Sequence, residues 1–438
     1  MVTYGDPIGI PTSLRPQGTY ICGKSGSGKT SLLQRNILWD IENGGGVCVI
    51  DPARDLVNAM LPYIPAERLR DVILFDTSMP VALDFFSYQR EDKEEKDDLV
   101  DYIASIFNLE NAPIAKPHLI SLLYTLFEAR EAGLDSISFL DIHRFLMHPS
   151  RQAKILAYCS RERREEWARP LPHDTRTAIV KRMTRFVENS TLRAIVGCPN
   201  PLLNMEHVIS EKKILFVTLK ESETGHFIGS LVVAKLQQAI FKLAGRHASE
   251  ASRVPFYLYV DECNTILEFA ADTFDTILQR ARKFKLCLTM ANVTPKKLPE
   301  KIRDCLGILG SLVIFNLDPA HGQVFKSQIA PHLVDELTNL PKFHALFRTD
   351  NKTTAVRTPS FLPPRENGNA QYVRTRTLDL YSCKSAPVSD TSEDGTKPDP
   401  EPTLPHDASK EPGTPTPQRV FRPDDKPARH ATKRQGSH

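Results

Sequence analysis

Gly23-Lys24-Ser25-Gly26-Ser27-Gly28-Lys29-Thr30 places three glycines, a lysine and a hydroxyl at the spacing of a phosphate-binding loop. Glycines lack a Cβ, so backbone N–H groups can turn inward and wrap a β-phosphate. A helix starting at the end of the loop adds its positive dipole end at the same place. Lys29 would stand between the β- and γ-phosphates, and Thr30 would offer its hydroxyl to Mg²⁺. Ser31 opens the helix that follows and belongs to the same nucleotide-binding set. A Gly-rich turn with no ligand would not need Lys-Thr after its last glycine.

Phe256-Tyr257-Leu258-Tyr259-Val260-Asp261-Glu262 is the second chemical signal. Five apolar or aromatic residues end in two acids, the Walker B pattern. Asp261 would hold Mg²⁺, directly or through water. Glu262 would accept a proton from the water that attacks the γ-phosphate. Strands often end in acids, so this pattern draws its weight from lying downstream of a phosphate loop.

Two further motifs are open. Asp51 ends the run Val49-Ile50-Asp51-Pro52, where α/β sheets place groups that face ligands. It reads equally as an Asp-Pro turn that caps the next helix. Gln279-Arg280-Ala281-Arg282-Lys283 precedes another strand-like run. Its arginines could reach a neighbouring subunit's γ-phosphate, or could simply complement a helix C-terminus.

The elements that must position these residues alternate. Gly18–Cys22, Gly46–Ile50, Val72–Phe75, Ile214–Leu219, Phe256–Val260, Leu286–Ala291 and Leu312–Phe315 are short apolar runs of the buried, parallel type. Helix-length segments join them, among them Ser31–Ile41 and Ile228–Leu243. Between residues 86 and 200 the character changes. Apolar residues recur at helical spacing (Leu99, Ile103, Ile106; Leu119, Leu122, Leu126), separated by charge runs that read as solvated helix faces. The predicted fold class is therefore α/β: a P-loop NTPase, RecA-like, with a parallel sheet. Residues 1–85 and 201–358 form its core, 86–200 an all-helical insertion and 359–438 a disordered tail. That tail holds 13 of the chain's 33 prolines and little apolar material. Its stretch Arg419–Arg434 is basic, and reads as a solubilising tail or as a loose contact for an acidic partner.

Composition sets the remaining bounds. The 438 residues are 41% hydrophobic, enough for a core, and carry a net charge of +3, which argues neither for nor against nucleic acid. The eight cysteines form no CxxC and read as buried thiols of a reducing compartment. No signal peptide and no apolar run of membrane-spanning length stand out, so a cytoplasmic location is expected, with partners able to recruit the chain to a membrane.

The order of motifs resembles the HerA–FtsK group of DNA-pumping ATPases, and within it the type IV secretion coupling proteins of conjugative DNA transfer. The likeness runs from about Pro11 to Pro359. Its carriers are Gly23–Thr30, Val49-Ile50-Asp51-Pro52 with Asp55-Leu56, and Val72–Asp76. Then come Trp167, Arg182-Met183, Phe186 and Leu192-Arg193, followed by Lys213–Val217, Asp261-Glu262 and Arg282-Lys283-Phe284. The resemblance implies ATP and Mg²⁺ as cofactors, a homo-hexameric ring, DNA as cargo and membrane-bound secretion partners. It implies a trans-acting finger role for Arg282. One position departs: the group's γ-phosphate-sensing Gln falls at Val293, beside Asn292. That departure bears on motor output more than on nucleotide binding. The rival expectations are a nucleotide-gated scaffold that pumps nothing and a secretion ATPase with protein cargo.

Overall fold

Residues 10–383 are described by the computed structural model, except 80, 87–92, 108, 110–111, 247–252 and 350–351. Within them nine strands form one sheet. They are β1 (Thr19–Cys22), β2 (Gly46–Asp51), β3 (Val72–Asp76), β4 (Ile214–Thr218), β5 (Phe256–Val260), β6 (Leu286–Asn292), β7 (Ser311–Ile314), β8 (His344–Thr349) and β9 (Lys352–Arg357). Their order is β3-β4-β2-β5-β6-β1-β7-β8-β9. The first seven run parallel. Every residue of those seven is buried. Helices cover both faces, which is why these strands read as unbroken apolar runs and not as alternation.

Register sets where chemistry can happen. Cys22 stands opposite Asn292 on one side and Ile314 on the other, while Val260 stands opposite Met290. The segments that follow β1, β5 and β6 therefore emerge at one level. β6 lies between β1 and β5, so with strands about 4.8 Å apart the loop after β1 and the acids after β5 are about 10 Å apart.

The helices are α1 (Lys29–Glu42), α2 (Asp55–Met60), α3 (Lys93–Ile106), α4 (Ala115–Glu131), α5 (Asp141–Met147), α6 (Pro149–Ala157), α7 (Arg161–Trp167) and α8 (His173–Glu188). They continue with α9 (Ser190–Val196), α10 (Met205–Ser210), α11 (Glu223–Gly245), α12 (Cys263–Phe284), α13 (Glu300–Asp304), α14 (Pro319–Gly322), α15 (Pro331–Glu336) and α16 (Asn369–Tyr381). Among the described residues, α3 to α10 fill the interval between β3 and β4. An aromatic series joins this helical part to the sheet's covering helices. Phe139 meets Phe186 at 4.9 Å, Phe186 of α8 meets Phe227 of α11 at 5.7 Å, and Phe227 meets Phe269 of α12 at 5.8 Å. Beside Phe269, α12 is interrupted at Ala270, whose backbone leaves the helical region.

Four expectations need correction. The segment after residue 359 does not begin as a disordered tail. It runs into α16, which packs Val373 and Thr377 against the sheet's first edge, where Thr377 Oγ1 accepts the N–H of Leu74 at 3.1 Å. The rest of the tail, including Arg419–Arg434, lies outside the described residues. The cysteines are not all thiols: Cys198 and Cys383 form a disulfide across 185 residues of sequence. The sheet is not wholly parallel, because β8 and β9 form an antiparallel hairpin beyond β7. One helix, Glu223–Gly245, is long and apolar enough to cross a membrane by length and composition, although most of its apolar span is buried in the fold.

Candidate functional site: a phosphate loop facing paired carboxylates

The chain leaves β1 at Cys22 and turns through Gly23–Gly28 before α1 begins at Lys29. Gly28 has φ +122°, a conformation that L side chains rarely adopt. A Cβ on Gly23 would lie 2.4 Å from Phe315 Cβ, so the loop must sit tight against the end of β7. Backbone bonds clamp it there. Lys24 N–H donates to Asn316 O at 2.8 Å, and Phe343 N–H donates to Ser27 O at 2.8 Å. Lys24 also pairs with Asp318 at 2.7 Å. Ser25 and Gly26 are exposed on the rim of the loop.

Lys29 is buried, and its ammonium donates to the carbonyls of Gly23 (2.8 Å) and Lys24 (3.1 Å). Burial lowers its pKa, and the charges of Asp261, Cys22 and Glu262 oppose that shift; the strand register sets the loop and the two acids at one level with β6 between them. No side chain caps α1, which leaves N–H donors of its first turn for an anion. Ser27 Oγ and Ser31 Oγ are buried without a hydrogen-bond partner. Buried hydroxyls are ordinarily satisfied, so two orphans in the loop and first turn fit a set of phosphate oxygens. Thr30 between them is partly exposed.

Across from the lysine, Asp261 continues from β5, its N–H donating to Ile50 O at 3.0 Å. Glu262 has φ +46°, a left-handed backbone that ends the strand abruptly and starts α12. Burial, and then the charge of Asp51, push the Asp261 carboxyl up to about 7. Asp51 is itself pushed up to about 6 by burial. Two acids act on one ammonium, and Asp51 acts on Asp261 in turn, so the site carries negative charge that a divalent cation would neutralise. Among the described residues no group of three or more His, Cys, Asp or Glu is placed to hold a metal ion. A hydroxyl at the end of the loop and a carboxylate at the end of β5 fit Mg²⁺, which keeps several waters and takes one or two protein ligands plus phosphate oxygens. Thr30 and Asp261 would be those ligands.

Asp51 resolves toward the turn. Its Oδ1 accepts from Arg54 N–H and its Oδ2 from Val57 N–H, both at 2.9 Å. Each oxygen thus holds one N–H of the turn into α2, and the charge of Asp51 also acts on Asp261. Asn292 is fully buried and accepts from the Tyr20 hydroxyl at 2.7 Å, while Val293 is partly exposed. Arg282 is exposed in the last turn of α12, before the start of β6. The phosphate loop follows the far end of β1, which is parallel to β6, so a strand's length of about 20 Å separates Arg282 from its own loop. After β6 four basic residues lie close in sequence, Lys296, Lys297, Lys301 and Arg303; Lys301 is paired with Asp272, while Lys296 and Lys297 are exposed. Phe343, Asn316 and Asp318 hold the loop from the side of β7 and β8, and no motif marks them in the sequence.

No family model matches the chain, and no curated protein sequence matches it. Solved structures do resemble it. The unbound bacterial conjugative coupling protein TrwBdeltaN70 aligns with a TM-score of 0.57 at 15% identity, covering 80% of this chain and 86% of that one. The plasmid coupling protein TrwB in complex with ADP and Mg²⁺ gives 0.56 at 17% identity, covering 82% and 90%. VirB4 of Thermoanaerobacter pseudethanolicus gives 0.55 at 13% identity, covering 78% and 89%. At such identities the likeness is one of fold: this chain is built on the P-loop NTPase fold seen in the conjugative coupling protein TrwB and in VirB4.

Proposed function

We propose that the protein is a Mg²⁺-dependent ATPase whose hydrolysis moves DNA through a homo-hexameric ring, as a coupling ATPase of the type IV secretion kind. One observation carries the reading: Lys29 at the end of the phosphate loop faces Asp261 and Glu262 across a single intervening strand. That spacing leaves a triphosphate between cation and carboxylates. Backbone N–H groups of Gly23–Ser31 and the hydroxyls of Ser27 and Ser31 would bind phosphate oxygens. Lys29 would hold the β- and γ-phosphates, and Thr30 and Asp261 the metal. Mg²⁺ supplies neutralisation of charge on the phosphates when bound. Glu262 would orient a water and take its proton. Arg282, too distant from its own loop, would complete the site of the next copy.

Two features support work beyond hydrolysis. α12 begins directly after Glu262, and its Phe269 reaches the helical part through Phe227 and Phe186. Displacement of Glu262 would be carried along packed rings to α8. TrwB is described as a coupling protein of conjugation, which supports DNA as cargo; a membrane-bound partner at the cytoplasmic face would then receive it.

A second reading, a nucleotide-gated scaffold, is favoured by Val293, which has no polar side chain, and by the tie of Asn292 to Tyr20. A protein cargo is the third. Steady-state hydrolysis with no DNA, single-stranded DNA and duplex DNA, with Glu262→Gln as control, separates them. Several-fold stimulation by DNA that falls steeply with salt supports translocation. Hydrolysis indifferent to DNA points to another cargo, and wild-type turnover no faster than Glu262→Gln points to the scaffold.

A further inference from the structure

We propose that Phe343 and Phe361, with Lys342 beside them, form a seat for the base of the bound nucleotide, one that takes the flat face of a purine and does not read its edge. The inference rests on the ATPase reading above and adds a subsite to it. Position argues first. Phe343 precedes β8 and Phe361 follows β9, so both lie on the side of β1 away from β5 and its acids. Asp261 and Glu262 face the γ end of a triphosphate, so the base must leave toward the opposite side. Phe343 is bonded to the loop itself through its N–H to Ser27 O, and its ring lies 2.9 Å from where a Cβ on Gly28 would stand.

Conformation argues second. Phe343 has φ +61°, a left-handed backbone that a bulky residue adopts only where its surroundings force it. The forcing groups are visible: its carbonyl accepts from Thr358 N–H at 2.8 Å and from Thr358 Oγ1 at 3.2 Å. The strained residue is thus fastened at its N–H to the phosphate loop and at its C=O to the strand end that leads on to Phe361.

Exposure argues third. Phe361 is 47% exposed, yet its ring meets Phe343 edge-on with centroids 5.5 Å apart. Lys342 Nζ stands 5.1 Å from the Phe343 centroid and 5.0 Å from that of Phe361. A half-buried ring, an exposed ring and a cation are therefore held together at the edge of the phosphate loop. Every nucleobase has a π face, and stacking on an aromatic ring is tolerant of base identity. Adenine and guanine nucleotides should be accepted alike.

The test compares equilibrium binding of ATP, GTP and inorganic tripolyphosphate, each with Mg²⁺, to the full chain and to Phe361→Ala and Phe361→Trp. Stacking predicts that Phe361→Ala weakens ATP and GTP about 10-fold, leaves tripolyphosphate within about twofold, and is rescued by Phe361→Trp. Unchanged ATP affinity in Phe361→Ala overturns the proposal. So does a parallel loss for ATP and tripolyphosphate, which would place the effect in the loop. If the wild type binds neither, the ATPase reading itself has failed and the base seat falls with it.

Discussion

The ammonium of Lys29 donates to the carbonyl of Gly23 six residues earlier, at 2.8 Å, so the phosphate loop is closed upon its own lysine. A γ-phosphate must draw that ammonium away from Gly23 and Lys24. Lys29→Ala should therefore abolish nucleotide binding and reduce hydrolysis at least about 100-fold, while circular dichroism stays native because the lost bonds are local. Wild-type turnover in this variant would rule out the loop as the site.

Glu262→Gln should divide binding from chemistry. The amide keeps the shape of the side chain and loses the base, so hydrolysis should fall about 10²- to 10⁴-fold while ATP still binds. Thermal unfolding provides the binding readout. At ATP a hundredfold over Kd, the stabilisation is about 2.7 kcal/mol, and it should vanish when EDTA removes Mg²⁺. An unshifted melting temperature with MgATP would contradict the proposed site.

Arg15 and Asp40 form a buried ion pair joining the chain before β1 to α1, with Arg15 donating to the Tyr259 hydroxyl on β5 at 2.7 Å. Asp40→Asn removes one charge from that pair and leaves the other in the fold. The expected cost is about 3–5 kcal/mol, read as a lowered urea midpoint with unchanged slope. A change below about 1 kcal/mol would mean that water already screens the pair.

Cys198 and Cys383 close a loop of 185 residues, the kind of cross-link that restricts an unfolded chain most. Without reductant, Cys383→Ser should be less stable than wild type by about 2–4 kcal/mol. With reductant the two proteins should unfold together. Identical behaviour of wild type with and without reductant would show that the two thiols stay unpaired in solution.

The parallel strands and the phosphate loop are legible in the amino-acid sequence for one physical reason. A strand buried on both faces is an apolar run, and two of these runs end where the chemistry begins: Cys22 at Gly23 and Val260 at Asp261. The pieces that escape lack such a contrast. β9, Lys352–Arg357, buries only Ala355 fully, so its sequence shows neither an apolar run nor clean alternation. α16 buries two residues, Val373 and Thr377, too few to make a stripe against a Pro-rich background. The partnership of Cys198 with Cys383 and the approach of Phe343 to Ser27 join residues far apart in the chain, and spacing carries no trace of either. Asp51 was readable as a residue worth attention, and the structure adds its two backbone bonds into the next turn.

α16 also bears on how this molecule meets its neighbours. β3 is a terminal strand, and a terminal strand presents a row of unpaired donors and acceptors to any other extended chain. Thr377 takes the N–H of Leu74, and the helix lies along the strand, fastened at its far end through Cys383. A strand guarded in this way is a poor template for fibril-like accretion. Copies that gather at high local density are thereby steered from open-ended stacking toward contacts made by side chains, where a closed assembly can be specified.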